Sequence, residues 1–135
     1  MFAFFFLIIN STNGQLTKDV NVDVQAQYVD GGTAGFQKFI STNIITPNSV
    51  NLFEAEGNLI VTFTIDSMGN NHIENFKNTI VFKGNLPDSK QQLFVNFCKN
   101  DIKRVFVKMP KWIPAVKGGV KTNSTVEYSV FYSTR

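Results

Sequence analysis

The chain has 135 residues, 43% of them hydrophobic, and 14 phenylalanines supply much of the volume that a single core needs. Its net charge of +3 comes from 13 Lys and Arg spread between Lys18 and Arg135, too diffuse a balance for a nucleic-acid footprint. A lone cysteine, Cys98, excludes an intramolecular disulfide and any Cys-based metal site.

The first stretch is the apolar run Met1-Phe2-Ala3-Phe4-Phe5-Phe6-Leu7-Ile8-Ile9. A membrane-crossing helix needs roughly 20 apolar residues, so the run reads as the h-region of a secretory signal peptide over Met1–Gly14. Thr12 and Gly14 place small residues before a cut at Gln15. The pattern departs from the usual one in having no Lys or Arg before Lys18, as a start codon assigned a few residues late would produce. Cleavage would leave residues 15–135. A buried strand or an amphipathic anchor is the other reading of the run.

Residues 16–28 alternate, with Val20, Val22, Val24, Ala26 and Tyr28 on one side and Asn21, Asp23, Gln25 and Gln27 on the other. This predicts a half-buried strand or an extended arm, taken as a unit over residues 15–29. Asp30-Gly31-Gly32 breaks it. Thr33 is placed to cap a helix whose apolar positions are Phe36, Phe39, Ile40 and Ile44, and Pro47 stops that helix. The glycines of Gly31–Gly35 lack the Gly-Lys-Ser/Thr of a phosphate loop and mark only a turn into the helix. Val50–Glu54 is a short link or a helical turn.

From Gly57 a strand begins, with Leu59, Val61, Phe63 and Ile65 facing one way and Asn58, Ile60, Thr62 and Thr64 the other. Asp66-Ser67-Met68-Gly69-Asn70 is a turn in which Asp66 can bond the backbone N–H groups. The returning arm alternates Ile73, Asn75, Lys77 and Thr79 against Glu74, Phe76, Asn78 and Ile80, out to Phe82, so the pair is a β-hairpin. Pro87 with Asp88 or Ser89 starts a second helix, carrying Leu93, Phe94, Phe97, Cys98, Ile102, Val105, Phe106 and Met109 at helical spacing. Asn100-Asp101 is a place where it can divide in two. Lys99, Lys103, Arg104, Lys108 and Lys111 crowd along it as a solvated face.

Pro110 ends that helix, and Pro114 keeps the chain extended after the only tryptophan, Trp112. Burial of the Trp112 ring covers roughly 150–250 Å², and truncation to alanine should cost about 3–5 kcal/mol. Gly118-Gly119 is a turn. The last strand sets Val126, Tyr128, Val130 and Tyr132 on one face and Thr125, Glu127, Ser129 and Phe131 on the other. The order is strand, helix, two-stranded hairpin, helix, strand. It predicts an α+β two-layer sandwich, with two helices packed on a small three-stranded antiparallel sheet.

No constellation of residues points to catalysis. His72, the only histidine, follows a hairpin turn with no nucleophile elbow near it. Pairing it with Cys98 is only formally possible. Asp66 and Glu74 lie on opposite arms of the hairpin and could approach each other as a carboxylate pair, but a turn-forming Asp with a surface Glu is the commoner case, and Asp66–Glu74 lacks the ligand spacing of a calcium loop. Asn10-Ser11-Thr12 and Asn123-Ser124-Thr125 are formal glycosylation sequons without meaning in a bacterial host. The expectation is a protein that is not an enzyme, with no cofactor, no metal and no small-molecule substrate. What remains is the edge of the sheet, whose unpaired N–H and C=O groups can accept an extended peptide as an added strand. Against that stands coverage of the edge by the 16–28 arm or by a second copy.

Three blocks, between them spanning residues 30–132, resemble the TonB C-terminal domain family in its Bacteroidota envelope form. They are Gly31-Gly32 with Phe39-Ile40 and Asn43–Pro47; Gly57–Ile65 ending in Asp66-Ser67-Met68-Gly69; and the corner Met109-Pro110-Lys111-Trp112-Ile113-Pro114 with the Gly turn and strand after it. The Asn51–Glu56 and Gly84–Asn100 segments depart from the family's usual spacing. The resemblance implies a TonB/TolA C-terminal-like fold over residues 30–135. It also implies a periplasmic or cell-envelope module that grips a peptide of an outer-membrane receptor, or of another envelope protein, in TonB-dependent transport. The binding edge would be the last strand: Thr125, Val126, Glu127, Tyr128, Ser129, Val130, Phe131 and Tyr132. Pro110, Trp112 and Pro114 would form a structural corner. The inner-membrane helix and proline-rich spacer of full-length TonB are not in this sequence, so a cleaved chain would be soluble and would not transmit force. The competing reading is an assembly module that forms a homodimer through the same edge, with no transport role.

Overall fold

A computed structural model describes residues 16–133. The Met1–Gly14 signal-peptide reading lies outside them. The structure is a mixed α+β fold built on one long central strand, β1 (Ala55–Ile65). Its alternation is nearly perfect: Ala55, Leu59, Val61, Phe63 and Ile65 are fully buried on one face, and the residues between them face the other way. On one side β1 pairs antiparallel over Glu56–Ile65 with β6 (Ser124–Ser133). On its other side lie β2 (Asn71–Asn78) and the two-residue β3 (Val81–Phe82), both antiparallel. The sheet therefore has four strands, not the expected three. The returning arm of the hairpin is interrupted at Thr79-Ile80, where Ile80 drops into the core.

The register also shifts between Thr62 and Phe63. This bulge sets Ile73 opposite Phe63 and Phe76 opposite Val61, so both point to the helix side. Strict alternation had put them on opposite faces.

Helices α1 (Gly32–Asn43) and α3 (Asp88–Val107) cover the apolar face, and a single turn, α2 (Ser49–Leu52), lies between α1 and β1. Thr33 is not the cap of α1; the cap position lies two residues earlier, at Gly31 in a left-handed conformation, and no side chain caps the helix. Nor does Asp88 or Ser89 cap α3, which starts directly after Pro87. α3 runs unbroken through Asn100-Asp101. The reason is that Asp101 is buried and bonded outward. Its Oδ2 accepts the Ile45 N–H at 2.7 Å, and its Oδ1 accepts two N–H groups of Arg104 at 2.9 and 2.7 Å. Arg104 also donates to the Asn43 carbonyl at 2.8 Å. The pair staples the C-terminal end of α1 to the middle of α3.

The core is an aromatic cluster. Phe36 of α1 lies against Phe63 of β1, Phe106 of α3, Tyr128 of β6 and Trp112, with ring centroids 4.9–6.4 Å apart. Such tilted and edge-on pairs add about 0.5–1.5 kcal/mol each beyond their buried area. A second cluster, Phe53, Phe82, Phe94 and Tyr132, closes the other end.

Candidate functional site: the terminal strand and its outer edge

The site is organised from the corner that precedes it. Trp112 is buried between Tyr28, Phe36 and Phe63. Its indole N–H is directed at the Met109 sulfur at 3.0 Å, and its backbone N–H donates to the Gly69 carbonyl at 2.8 Å. The Asp66–Gly69 turn thus docks on the tryptophan corner. Gly69 holds φ +89°, and a Cβ there would sit 2.2 Å from the Trp112 carbonyl oxygen, so only glycine fits. Pro110 and Pro114 flank the corner, and the extended chain after the tryptophan exchanges hydrogen bonds between Ile113 and Gln27 at 2.8 and 2.9 Å. A short hairpin follows, β4 (Ala115–Lys117) and β5 (Val120–Thr122), turning at Gly118-Gly119.

β6 then runs beside β1. Of the eight residues expected at a binding edge, Val126, Tyr128, Val130 and Tyr132 are buried against the helices and cannot meet a partner with their side chains. Thr125, Glu127, Ser129 and Phe131 lie on the open face. The same four carry the outward-pointing backbone groups. They oppose Thr64, Thr62, Ile60 and Asn58, whose own backbone turns toward β2, as the Thr79 N–H to Asn58 carbonyl bond at 2.8 Å shows. A strand added to this edge would bond to Thr125, Glu127, Ser129 and Phe131.

One end of the edge is already in use. The Thr17 N–H donates to the Glu127 carbonyl at 3.1 Å, and the Thr125 N–H donates to Asp19 Oδ2 at 2.8 Å. The latter bond, with a second from the Asn21 N–H, holds the Asp19 carboxyl below its ordinary range. The 16–28 stretch is therefore an extended arm, not a half-buried strand. Of its alternating apolar set only Tyr28 is buried, and Val20 is 91% exposed. Residues 23–27 reach the corner through isolated pairings, Val24 with Val116 and Gln27 with Ile113. Nothing in the sequence marks Thr17 or Asp19 as partners of the last strand, since a carboxylate meeting a backbone N–H 106 residues away leaves no periodic trace.

Two further pairs of titratable groups lie outside the open face of the edge. His72 stands at the hairpin surface, with Nε2 3.0 Å from Asp66 Oδ2. That contact, with the Asn70 and Met68 N–H groups, holds the Asp66 carboxyl down to about 2. Glu74 does not pair with Asp66; it accepts the Thr64 hydroxyl at 3.1 Å. Cys98 lies in the core, and burial pushes its thiol up to about 12. Beside it the Tyr132 hydroxyl, also raised by burial, interacts with the thiol without meeting hydrogen-bond geometry. No helix among the described residues is long and apolar enough to cross a membrane. Comparison of the chain with protein-family models, with curated proteins and with solved structures finds no match.

Proposed function

We propose that this chain is a protein-binding module of the bacterial envelope, similar to the TonB C-terminal domain, that takes an extended peptide of an outer-membrane receptor by β-strand addition. The observation that carries the reading is the position of β6. It is an edge strand, bonded to β1 over Ser124–Ser133 on one side, with backbone groups of Thr125, Glu127, Ser129 and Phe131 turned outward on the other. Main-chain bonds would supply affinity, and the open-face side chains of Thr125, Glu127, Ser129 and Phe131 would supply selectivity. Two further features support the family reading. The Asp66–Gly69 turn rests on the Trp112 corner, which joins the second and third family-like blocks, and the Asn43–Ile45 exit of the first is held on α3 by Asp101 and Arg104.

The test is light scattering coupled to size exclusion, with amide NMR titrations using synthetic peptides of outer-membrane receptor TonB boxes. Expected is a monomer whose shifts concentrate on Thr125, Glu127, Ser129 and Phe131. A stable dimer with those amides protected and no response to peptide would refute the reading in favour of an assembly module.

A further inference from the structure

The edge that the proposed function depends on is shared with the chain's own arm. The arm runs antiparallel to β6: moving from Thr17 to Asp19 it passes from Glu127 to Thr125. Thr17 bonds as an added fifth strand would, giving its N–H to the Glu127 carbonyl. At Asp19 a side chain replaces the backbone, and the carboxylate takes the Thr125 N–H where a neighbouring strand would present a carbonyl.

The rest of the arm serves this seat. Asp19 Oδ1 accepts the Asn21 N–H at 2.9 Å, which turns the chain away from the sheet. The Gln25 side-chain amide clasps the Asp19 backbone on both sides, accepting its N–H at 2.9 Å and donating to its carbonyl at 2.8 Å. Beyond the turn, Asp23, Val24 and Gln27 are tied to Val116, Gly118 and Ile113. Leu16 packs against the core from the far end of the seat. The Glu127 N–H and the outward groups of Ser129 and Phe131 find no partner among the described residues.

Resting on the strand-addition reading, we propose that Leu16–Asp19 is a resident ligand of the β6 edge, an autoinhibitory segment that an incoming strand must displace. Two observations make it displaceable. Its strand-like hold on β6 is two hydrogen bonds at an exposed rim, whereas β6 itself is held to β1 along its full length. The release point, Val20, is almost wholly solvent-exposed. The tether makes the arm a strong competitor even so, because a short tether presents its end at an effective concentration in the millimolar range. The seat also describes the competitor. It is an extended segment with an acidic side chain placed to take over the Thr125 N–H, entering over Ser129 and Phe131 before reaching Glu127.

The experiment uses the whole chain in two forms, native and carrying Thr17→Pro with Asp19→Ala. The first substitution removes the donated N–H and the second removes both carboxylate oxygens, and neither touches the core. The probe is a synthetic peptide with the sequence of residues 16–22, titrated while the Thr125 and Glu127 amides are followed by NMR and hydrogen exchange. Apparent affinity falls by the fraction of time the edge is open, so an arm seated nine-tenths of the time weakens the peptide about tenfold in the native chain. Expected is faster exchange at Thr125 in the variant, and peptide binding at least about tenfold tighter than to the native chain, with shifts at Thr125 and Glu127. Equal binding to both forms overturns the inference alone and leaves strand addition standing. No binding to the variant at millimolar peptide overturns strand addition, and the inference with it.

Discussion

Replacing Asp101 with alanine should cost this protein about 3 kcal/mol, and the figure follows from what the carboxylate holds. Its side chain is 5% exposed and accepts the Ile45 N–H and two Arg104 N–H groups. Removal leaves the Ile45 N–H without its partner in a partly buried place, which costs about 1–3 kcal/mol. It also strips Arg104 of its counter-charge. Breaking a fully buried pair in this way costs about 3–5 kcal/mol. Arg104, however, is 37% exposed and keeps its bond to the Asn43 carbonyl, so solvent recovers part of that loss and the lower end of the range applies. Urea unfolding of the native protein and Asp101→Ala measures the difference, with an unchanged m-value showing that both unfold from the same compact state. Arg104→Ala and the double variant complete a cycle, in which the pair should couple by more than about 0.5 kcal/mol. A loss below about 1 kcal/mol for Asp101→Ala would refute the claim that this staple holds α1 to α3.

Three further outcomes are expected. Gly69→Ala should destabilise by at least about 2 kcal/mol, because left-handed strain adds to a Cβ placed 2.2 Å from the Trp112 carbonyl. Gly118→Ala, at φ +58° with nothing near its Cβ, should lose only the strain term, and equal losses in thermal unfolding would disprove the docking argument. At acid pH, Asp66 binds its proton at about 2 in the fold against 3.8 in the open chain. Its stabilisation is thus complete above 3.8 and lost as pH falls toward 2. Asp66→Asn should flatten that part of the stability profile, and His72→Ala should move it upward in pH. Cys98, with its thiol pushed up to about 12, should not react with a thiol reagent at pH 8 until urea unfolds the chain. Since the unfolded thiol ionises near 9.0, stability should fall as pH rises from there toward 12.

The binding reading rests on backbone geometry more than on residue identity, and this shapes how variants should be chosen. Side-chain substitutions at Val126, Tyr128 or Val130 would damage the core and say little about recognition, because those side chains face the helices. The informative positions are Thr125, Glu127, Ser129 and Phe131 on β6, and Thr17 and Asp19 on the arm.

The sequence by itself determined the elements whose burial is periodic. Leu59, Val61, Phe63 and Ile65 could form only one face of a strand, and Val126 to Tyr132 another, because alternation at a period of two leaves no second solution. Pro110 and Pro114 set the limits of the tryptophan corner through local backbone sterics. The tertiary structure decided everything that depends on a partner distant along the chain. The bulge at Thr62/Phe63 turned Ile73 and Phe76 to the same face, and Asp101 kept α3 whole because its carboxylate answers Ile45. The same holds at the site. The edge strand was visible as a pattern, but the seating of the arm on it was not. Thr17 and Asp19 reach β6 through single hydrogen bonds that carry no periodicity and no hydrophobic signature.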